Sequence, residues 1–464
     1  MKTEKEAPWK YDLLGNSAVS SVCKNRKTQF LFQLPFVLLL VLVVLAGFFG
    51  LQSSSKNLAT ISIWVVWWSL LAISLALAGR IWCLACPFGA VGDWVQRRTF
   101  YRRINRTFSL NRKLPSKFRN LYLSAVFFLL ITWADFQFNL VNSPLNTAYF
   151  ISALLGVIVI AAIIFERRSF CRYACPITGL IGLYSMFAPF ELRAKNTETC
   201  KTCREKYCIS GNEKGYPCPV FEYPGTMEKN THCLLCTECI KTCHKNNIAF
   251  NLRQFGGDFL KTAKRTDEGL FILIILGITI FQTLIMIRPW AGLTEGLMML
   301  TGAGYDAVRF ILFIATAALP VLVYSIAVFI SKMISPDLNF KELFAGFTYA
   351  IIPLGLVMFL AHNTRHLLEE GTGLIQVLSD PFGFGWDLFG TSGYMPAPIL
   401  GTNNILLLQW LLMFMGFGAS VSAGKNISKR MFQKESAFIP VLIFAFIFFV
   451  FYLWVFGQPI MHKH

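Results

Sequence analysis

Nine stretches of the chain are long and apolar enough to cross the hydrocarbon core of a bilayer as helices, which takes about 20 residues each. They cover approximately residues 30–50, 61–79, 120–134, 148–165, 269–287, 307–331, 343–361, 404–424 and 437–457, the third being the shortest. A chain of 464 residues that is 55% hydrophobic is too apolar for a soluble globule of that size. The sequence therefore predicts an α-helical polytopic membrane protein of about nine spans. The formal charge of +18 raises the question of nucleic acid, and its distribution answers it. With the N-terminus inside, all but five of the 43 Lys and Arg residues fall on the inner side; the exceptions are Lys56, Arg288, Arg309, Arg365 and Lys463. That is the positive-inside pattern, so the basicity reports topology, and no nucleic-acid partner is expected. It predicts the inner membrane of a prokaryote, with the C-terminus outside. A polar segment precedes the first run and no small-residue cleavage site follows it, so that run reads as an uncleaved anchor.

The first half carries a repeat. Arg80-Ile-Trp82-Cys83-Leu-Ala-Cys86-Pro87 is followed by Gly89 and Gly92, and Arg168-Ser-Phe170-Cys171-Arg-Tyr-Ala-Cys175-Pro176 is followed by Gly179 and Gly182. Each copy ends an out-to-in span, so each unit is two spans and a Cys-Pro elbow in the same orientation, a parallel duplication. Between 192 and 256 the composition turns charged and cysteine-dense, without long apolar runs. Four regions follow: an N-terminal cytoplasmic tail (1–29), a four-span duplicated membrane domain (30–191), an inserted cytoplasmic α+β domain (192–256) and a five-span C-terminal membrane domain (257–464). The outer segment 362–403 is long and rich in Gly, Pro and aromatics, the kind of loop that is ordered or functional more often than idle.

Eight cysteines fall between Cys200 and Cys243. The run Cys233-x2-Cys236-x2-Cys239-x3-Cys243 has the spacing of a bacterial ferredoxin half-motif, in which three close cysteines hold one 4Fe–4S cubane and the fourth crosses to the other. Carried over, this assigns one cluster to Cys200, Cys203, Cys208 and Cys243, and a second to Cys218, Cys233, Cys236 and Cys239. The first half is stretched (Cys203-x4-Cys208-x9-Cys218), and His244 stands where proline usually follows the last cysteine. Zinc sites also use Cys-x2-Cys pairs, but seldom in so dense a run, and a disulfide framework does not suit a cytoplasmic domain. His232 and His244 flank ligands, where they read as solvated residues or as hydrogen-bond donors tuning a cluster.

Cys83, Cys86, Cys171 and Cys175 sit where the second and fourth spans reach the inner interface. Four converging thiols can hold a metal or a further cluster, or act as two redox-active pairs, because Cys-x-x-Cys spacing lowers a thiol's pKa. Cys23 reads as incidental. In the C-terminal half, His362 and His366 lie four apart at the outer end of the seventh span, suited to a transition metal or a quinone hydrogen bond, or to interfacial snorkelling. Asp306 and Arg309 are spaced to pair.

Over residues 30–256 these motifs resemble the membrane-bound polyferredoxins that accompany periplasmic nitrate reductase and nitrous-oxide reductase (NapH and NosR types) and the related oxidase-assembly protein CcoG. The resemblance implies electron flow between cytoplasmic or quinone donors and a respiratory redox partner, or, in the assembly branch, copper reduction. This chain departs from the family in its shorter first elbow, its five extra C-terminal spans and its lack of a large periplasmic flavin-binding domain. The sequence thus leads to an iron–sulfur electron-transfer protein with two 4Fe–4S clusters, a further cluster or metal at the elbows and a quinone or protein partner. The alternative is a metal (copper) reductase or cofactor-assembly factor acting at the elbow cysteines.

Overall fold

The computed structural model describes residues 9–104, 107–258 and 264–460; Lys463, counted above among the outer cations, lies outside them. Eight of its helices are long and apolar enough to cross a membrane among the described residues: α1 (Lys27–Phe49), α2 (Leu58–Leu77), α4 (Pro144–Ile164), α5 (Thr266–Leu284), α6 (Tyr305–Ile334), α7 (Phe340–Glu370), α8 (Thr402–Phe432) and α9 (Glu435–Phe456). The remaining apolar run forms α3 (Tyr122–Phe138), 17 residues long and at the lower edge of spanning length.

The ends of α3 show how far it travels. Near its start, Ser124 Oγ donates to the Cys175 carbonyl (2.7 Å), and at its finish the Phe138 carbonyl accepts from Asn146 Nδ2 (2.9 Å) at the head of α4. Gln33, early in α1, donates to the Leu84 carbonyl in the first elbow, while Gly47, late in α1, packs on Pro144 and Ala148. So α1 leaves the elbow end, α2 returns to it, α3 leaves again and α4 returns, which brings both elbows to the same end. A π-helical stretch at Ile61–Trp67 widens α2, and Trp64 Nε1 donates to Thr147 Oγ1 across to α4 (3.0 Å).

The C-terminal helices pack around α7, whose spanning window is 89% buried. α7 runs past its apolar stretch through His362 and His366 to Glu370, so the segment 362–403 is helical as far as that residue and forms a further short helix at Gly373–Ser379. An amphipathic helix at Arg288–Thr301 joins α5 to α6.

The cysteine-dense insertion leaves and rejoins the membrane part on adjacent strands. β1 (Lys10–Asp12), β2 (Phe190–Ala194) and β3 (Ile248–Arg253) form an antiparallel sheet in the order β1-β3-β2, with Leu192 opposite Phe250 and Tyr11 opposite Leu252. The N-terminal segment, read from sequence as a tail, therefore supplies an edge strand, and Cys23 is buried beside Cys233, Leu235 and Ile240 rather than incidental to the fold. Buried ion pairs fasten the sheet: Arg253 meets Glu191 (2.8 Å) and Asp258, and Arg193 meets Asp258 (3.1 Å). On the membrane side Lys229 pairs with Glu268 at the start of α5 (2.6 Å).

Candidate functional site

Each elbow is a short helix, a cysteine, a proline and a second helix. Ile81–Ala85 and Pro87–Arg97 flank Cys86 (φ −51°, ψ 116°); Ser169–Tyr173 and Pro176–Tyr184 flank Cys175 (φ −60°, ψ 120°). A residue before proline is pushed out of the helical region, and proline at the first helical position lacks only an N–H that would go unbonded there. Each Cys-Pro step thus stops one helix and starts the next with a sulfur at its cap. Cys86 accepts from the Gly89 amide, and Cys175 from the Thr178 hydroxyl and the amides of Ile177 and Thr178.

Cys83, Cys86, Cys171 and Cys175 line a single apolar cleft, open in part to its surroundings and lined also by Phe36, Trp64, Trp67, Trp82, Phe88 and Phe150. Burial pushes the Cys86 thiol up to about 12, with Cys83 and Cys175 adding to the rise. Burial also holds Cys171 well above its ordinary value, and raises Cys175. The expectation of a thiol pair activated by its spacing is corrected here, because desolvation outweighs the cap amides. Such thiols shed their protons against a metal, which needs the thiolate as ligand.

The surroundings of the quartet fit an anionic metal–sulfur group. Arg80 is 1% exposed; one arm donates to the Thr231 carbonyl and the other lies 3.7 Å from Cys83 Sγ. Arg168 donates to the Cys83 carbonyl (3.2 Å) and to Asp93 (2.8 Å), and Asp93 also pairs with Arg97 (3.1 Å). Burial alone would raise Asp93; Arg168 and Arg97 overcome it and hold the carboxyl below its usual range. The Nε–H groups of Arg80, Arg168 and Arg172 are buried without an acceptor. Orphaned cationic donors beside four thiols are what thiolates and inorganic sulfides would satisfy.

The eight cysteines of the insertion gather in two groups. Cys200, Cys203, Cys208 and Cys243 line a pocket of about 350 Å³ with Lys206, Tyr223 and His244, and burial and the other three thiols push Cys208 up to about 11. Cys218, Cys233, Cys236 and Cys239 lie deeper. Burial pushes Cys233 and Cys236 up to about 12, and Cys239 stands well above its ordinary value from burial and from Cys236, Cys233, Cys218 and Cys208. Cys208 in that set shows that the two groups are neighbours. Amides and an amide side chain point at the sulfurs: Glu222 N at Cys218, Asn247 N at Cys243 and Asn247 Nδ2 at Cys200, each 3.3 Å.

The deeper group touches the elbows. Cys218, Val220, Leu234 and Cys236 form one apolar cluster with Cys83 and Leu84. Arg167 donates to the Cys218 carbonyl (3.0 Å), the Arg168 amide to the Pro219 carbonyl (3.1 Å), and Arg172 to the Val220 carbonyl and to Glu222 (2.8 Å). Sequence reasoning missed this arginine layer, although the Arg ahead of each elbow was its signal.

His244 is half-exposed beside Glu205 and Cys203, and these three alone among the described residues bring three metal-binding atoms within 4.8 Å of one another. His232 is not a solvated residue, since its Nδ1 is buried without a partner. At the far end of the bundle His362 is 8% exposed and meets Thr283 Oγ1 at 3.1 Å. That hydroxyl also donates to the Thr279 carbonyl (2.8 Å). The His366 ring packs edge to face on that of His362, centroids 5.1 Å apart, and its Nδ1 lies 3.8 Å from Glu370. The burial of His362 excludes snorkelling for that residue. Arg309 and Asp306 pair at 3.8 Å.

A family model described as a 4Fe-4S binding domain matches the chain twice, over residues 61–110 and 147–195. Each match contains one elbow, and the cysteines between 200 and 243 lie outside both. The protein is 29% identical over 135 residues to "Putative electron transport protein YccM" of Escherichia coli, covering 29% of this chain and 34% of that one. It is 26% identical over 187 residues to the uncharacterized protein MJ0749 of Methanocaldococcus jannaschii, covering 39% of this chain and 69% of that one. A second protein of that organism, MJ0750, is 22% identical over 200 residues, covering 39% and 76%. No solved structure matches. The family match supports an iron–sulfur protein of ferredoxin type.

Proposed function

We propose that this protein is a membrane-embedded electron carrier that passes electrons one at a time along three iron–sulfur centres, between a carrier in the cytoplasm and a lipid-soluble quinone or a respiratory partner protein. In this reading nine helices span the bilayer, α3 included, with the elbow end and the cysteine-rich domain cytoplasmic. Cys200, Cys203, Cys208 and Cys243 hold the distal 4Fe–4S cluster, Cys218, Cys233, Cys236 and Cys239 the proximal one, and Cys83, Cys86, Cys171 and Cys175 a third. The bound clusters supply the one-electron chemistry. The chain's own groups do the rest. Cap amides and Asn247 stabilise the sulfurs' negative charge, the arginine layer balances it, and burial keeps water away from the inner two centres.

One observation carries the reading: the three cysteine quartets stand in a row, from a half-exposed one through a buried one to the elbows, and end at an apolar cleft in the helix bundle. A cleft of that chemistry suits the ring and tail of a quinone, and it favours a lipid-soluble partner over the hydrated ion that a copper reductase would have to admit. The test is electron exchange by anaerobically purified protein in lipid nanodiscs. Dithionite should bleach its visible absorbance and an added naphthoquinone should restore it, whereas protein carrying serine at all four elbow positions should bleach but recover much more slowly. A colourless wild-type protein, or equal recovery in the two, would overturn the proposal.

A further inference from the structure

Three of the five guanidiniums around the inner two quartets pair with a carboxylate: Arg97 and Arg168 share Asp93, and Arg172 holds Glu222. Arg167, half-buried, donates to the Cys218 carbonyl and lies over the Phe221 ring, with Glu166 next to it in the chain. Arg80 is the fully buried exception. It is the most buried of them, and its partners among the described residues are a carbonyl and a thiol, neither of which carries a full negative charge while the thiol is protonated. A buried cation left without a counter-charge is among the costliest things a fold can contain, and this one has an orphaned Nε–H as well. Its two engaged arms point to different quartets: Cys83 belongs to the elbows, and Thr231 stands two residues before Cys233 of the proximal group.

We propose that Arg80 is a positioning residue whose fixed positive charge joins the elbow centre to the proximal centre, sets the potentials of both and so governs electron exchange between them. The inference rests on the elbow quartet holding an iron–sulfur group, as proposed above. Four thiolates around a 4Fe–4S core carry net negative charge, and it grows by one unit when an electron arrives. When an electron passes from the proximal centre to the elbow centre, the first is oxidised by one electron and the second reduced by one, and the charge moves from one side of Arg80 to the other. A cation against a ligand of one centre and bonded to the chain two residues before a ligand of the other favours the reduced form at each, raising both potentials, and spares the transfer a full loss of counter-charge. Asp93 spreads the charge of Arg168 over an ion pair, so the second elbow's arginine has a weaker hold on the same electron.

The experiment is a redox titration followed by EPR on the full chain in nanodiscs, comparing wild type with R80Q, R80K and R168Q at matched iron content. Arg80→Gln should move the elbow and proximal midpoints to more negative potential, Arg80→Lys should stay near wild type, and Arg168→Gln should move them less than Arg80→Gln. Unchanged midpoints in R80Q, or an R80K shift as large as that of R80Q, overturns the inference. If R80Q fails to retain iron, the pair of variants still decides. Iron kept by R80K and lost by R80Q supports a charge role, and equal loss in both overturns it. Wild-type protein without any elbow-dependent EPR signal would instead refute the elbow cluster itself, leaving the two failures distinct.

Discussion

The first elbow turns Arg80 outward to the cysteine-rich domain, while the second turns Arg168 inward to Asp93 and the Cys83 carbonyl of the first. The two copies keep the same capped cysteine, with Cys86 and Cys175 differing by only a few degrees in backbone angle, and they have divided the work around it. The second copy holds the pair together and the first reaches toward the cysteine-rich domain, along the proposed electron route. The glycines divide in the same sense. In the first elbow a methyl group at Gly89 would lie 2.8 Å from the Arg168 guanidinium and one at Gly92 would make ordinary contacts with Ile158 and Ala162, whereas in the second one at Gly182 would lie 2.4 Å from the Thr231 carbonyl and one at Gly179 1.7 Å from Phe271 of α5. The second elbow is therefore the packed junction between α5 and the cysteine-rich domain, while the first closes on the second elbow and on α4. Duplication gave the site its four thiols, and divergence gave it an orientation.

The comparison breaks first at the thiols, where the elbows should still be equal. Replacing Cys86 or Cys175 by serine should slow exchange with an added quinone strongly and to a similar extent, each removing one of four ligands; a variant that keeps normal exchange would remove its elbow from the site. Next comes the junction. Gly182→Ala should loosen the cysteine-rich domain and cost about 1–3 kcal/mol or more from overpacking, read as easier proteolysis between residues 195 and 250, and Gly92→Ala should leave cleavage unchanged. Equal sensitivity would erase the asymmetry. Arg168→Gln should destabilise the folded protein by about 3 kcal/mol, because it strips one partner from a buried carboxylate that keeps only Arg97; thermal unfolding in detergent measures it. The smallest effect concerns acid. Asp93 is held below its ordinary value of 3.8, so its contribution is complete above that value and is lost only as pH falls through the lower folded-state pKa. Between pH 7 and pH 5 wild type and Asp93→Asn should lose stability in parallel, the gap closing only in stronger acid.

Much of this was legible in the chain because it is written in local patterns. Each of the nine apolar runs became a helix, with ends shifted by a few residues and α7 extended by polar residues through Glu370 that carry no hydropathy signal. The spacing from Cys200 to Cys243 and the paired Cys-Pro elbows are visible in any careful reading. What stayed hidden depends on contacts between distant residues. Nothing near Lys10 announces an edge strand that pairs with residue 253, and nothing near Arg80 announces the Thr231 carbonyl. Of the chemistries the sequence leaves open at the elbows, activation by spacing is the one that tertiary burial opposes, since the apolar cleft raises Cys86, Cys171 and Cys175. The Trp residues of α2 read as an ordinary membrane helix until the π-helical stretch turned them around one cavity.

The central claim is that the elbows hold an iron–sulfur group of their own, beside the two of the cysteine-rich domain. Iron per chain in anaerobically purified protein, taken with Mössbauer spectra of the same samples, tests it most directly. The account predicts about twelve irons in wild type, all in 4Fe–4S environments, and about eight once Cys83, Cys86, Cys171 and Cys175 are serine. Equal iron in the two proteins would contradict it.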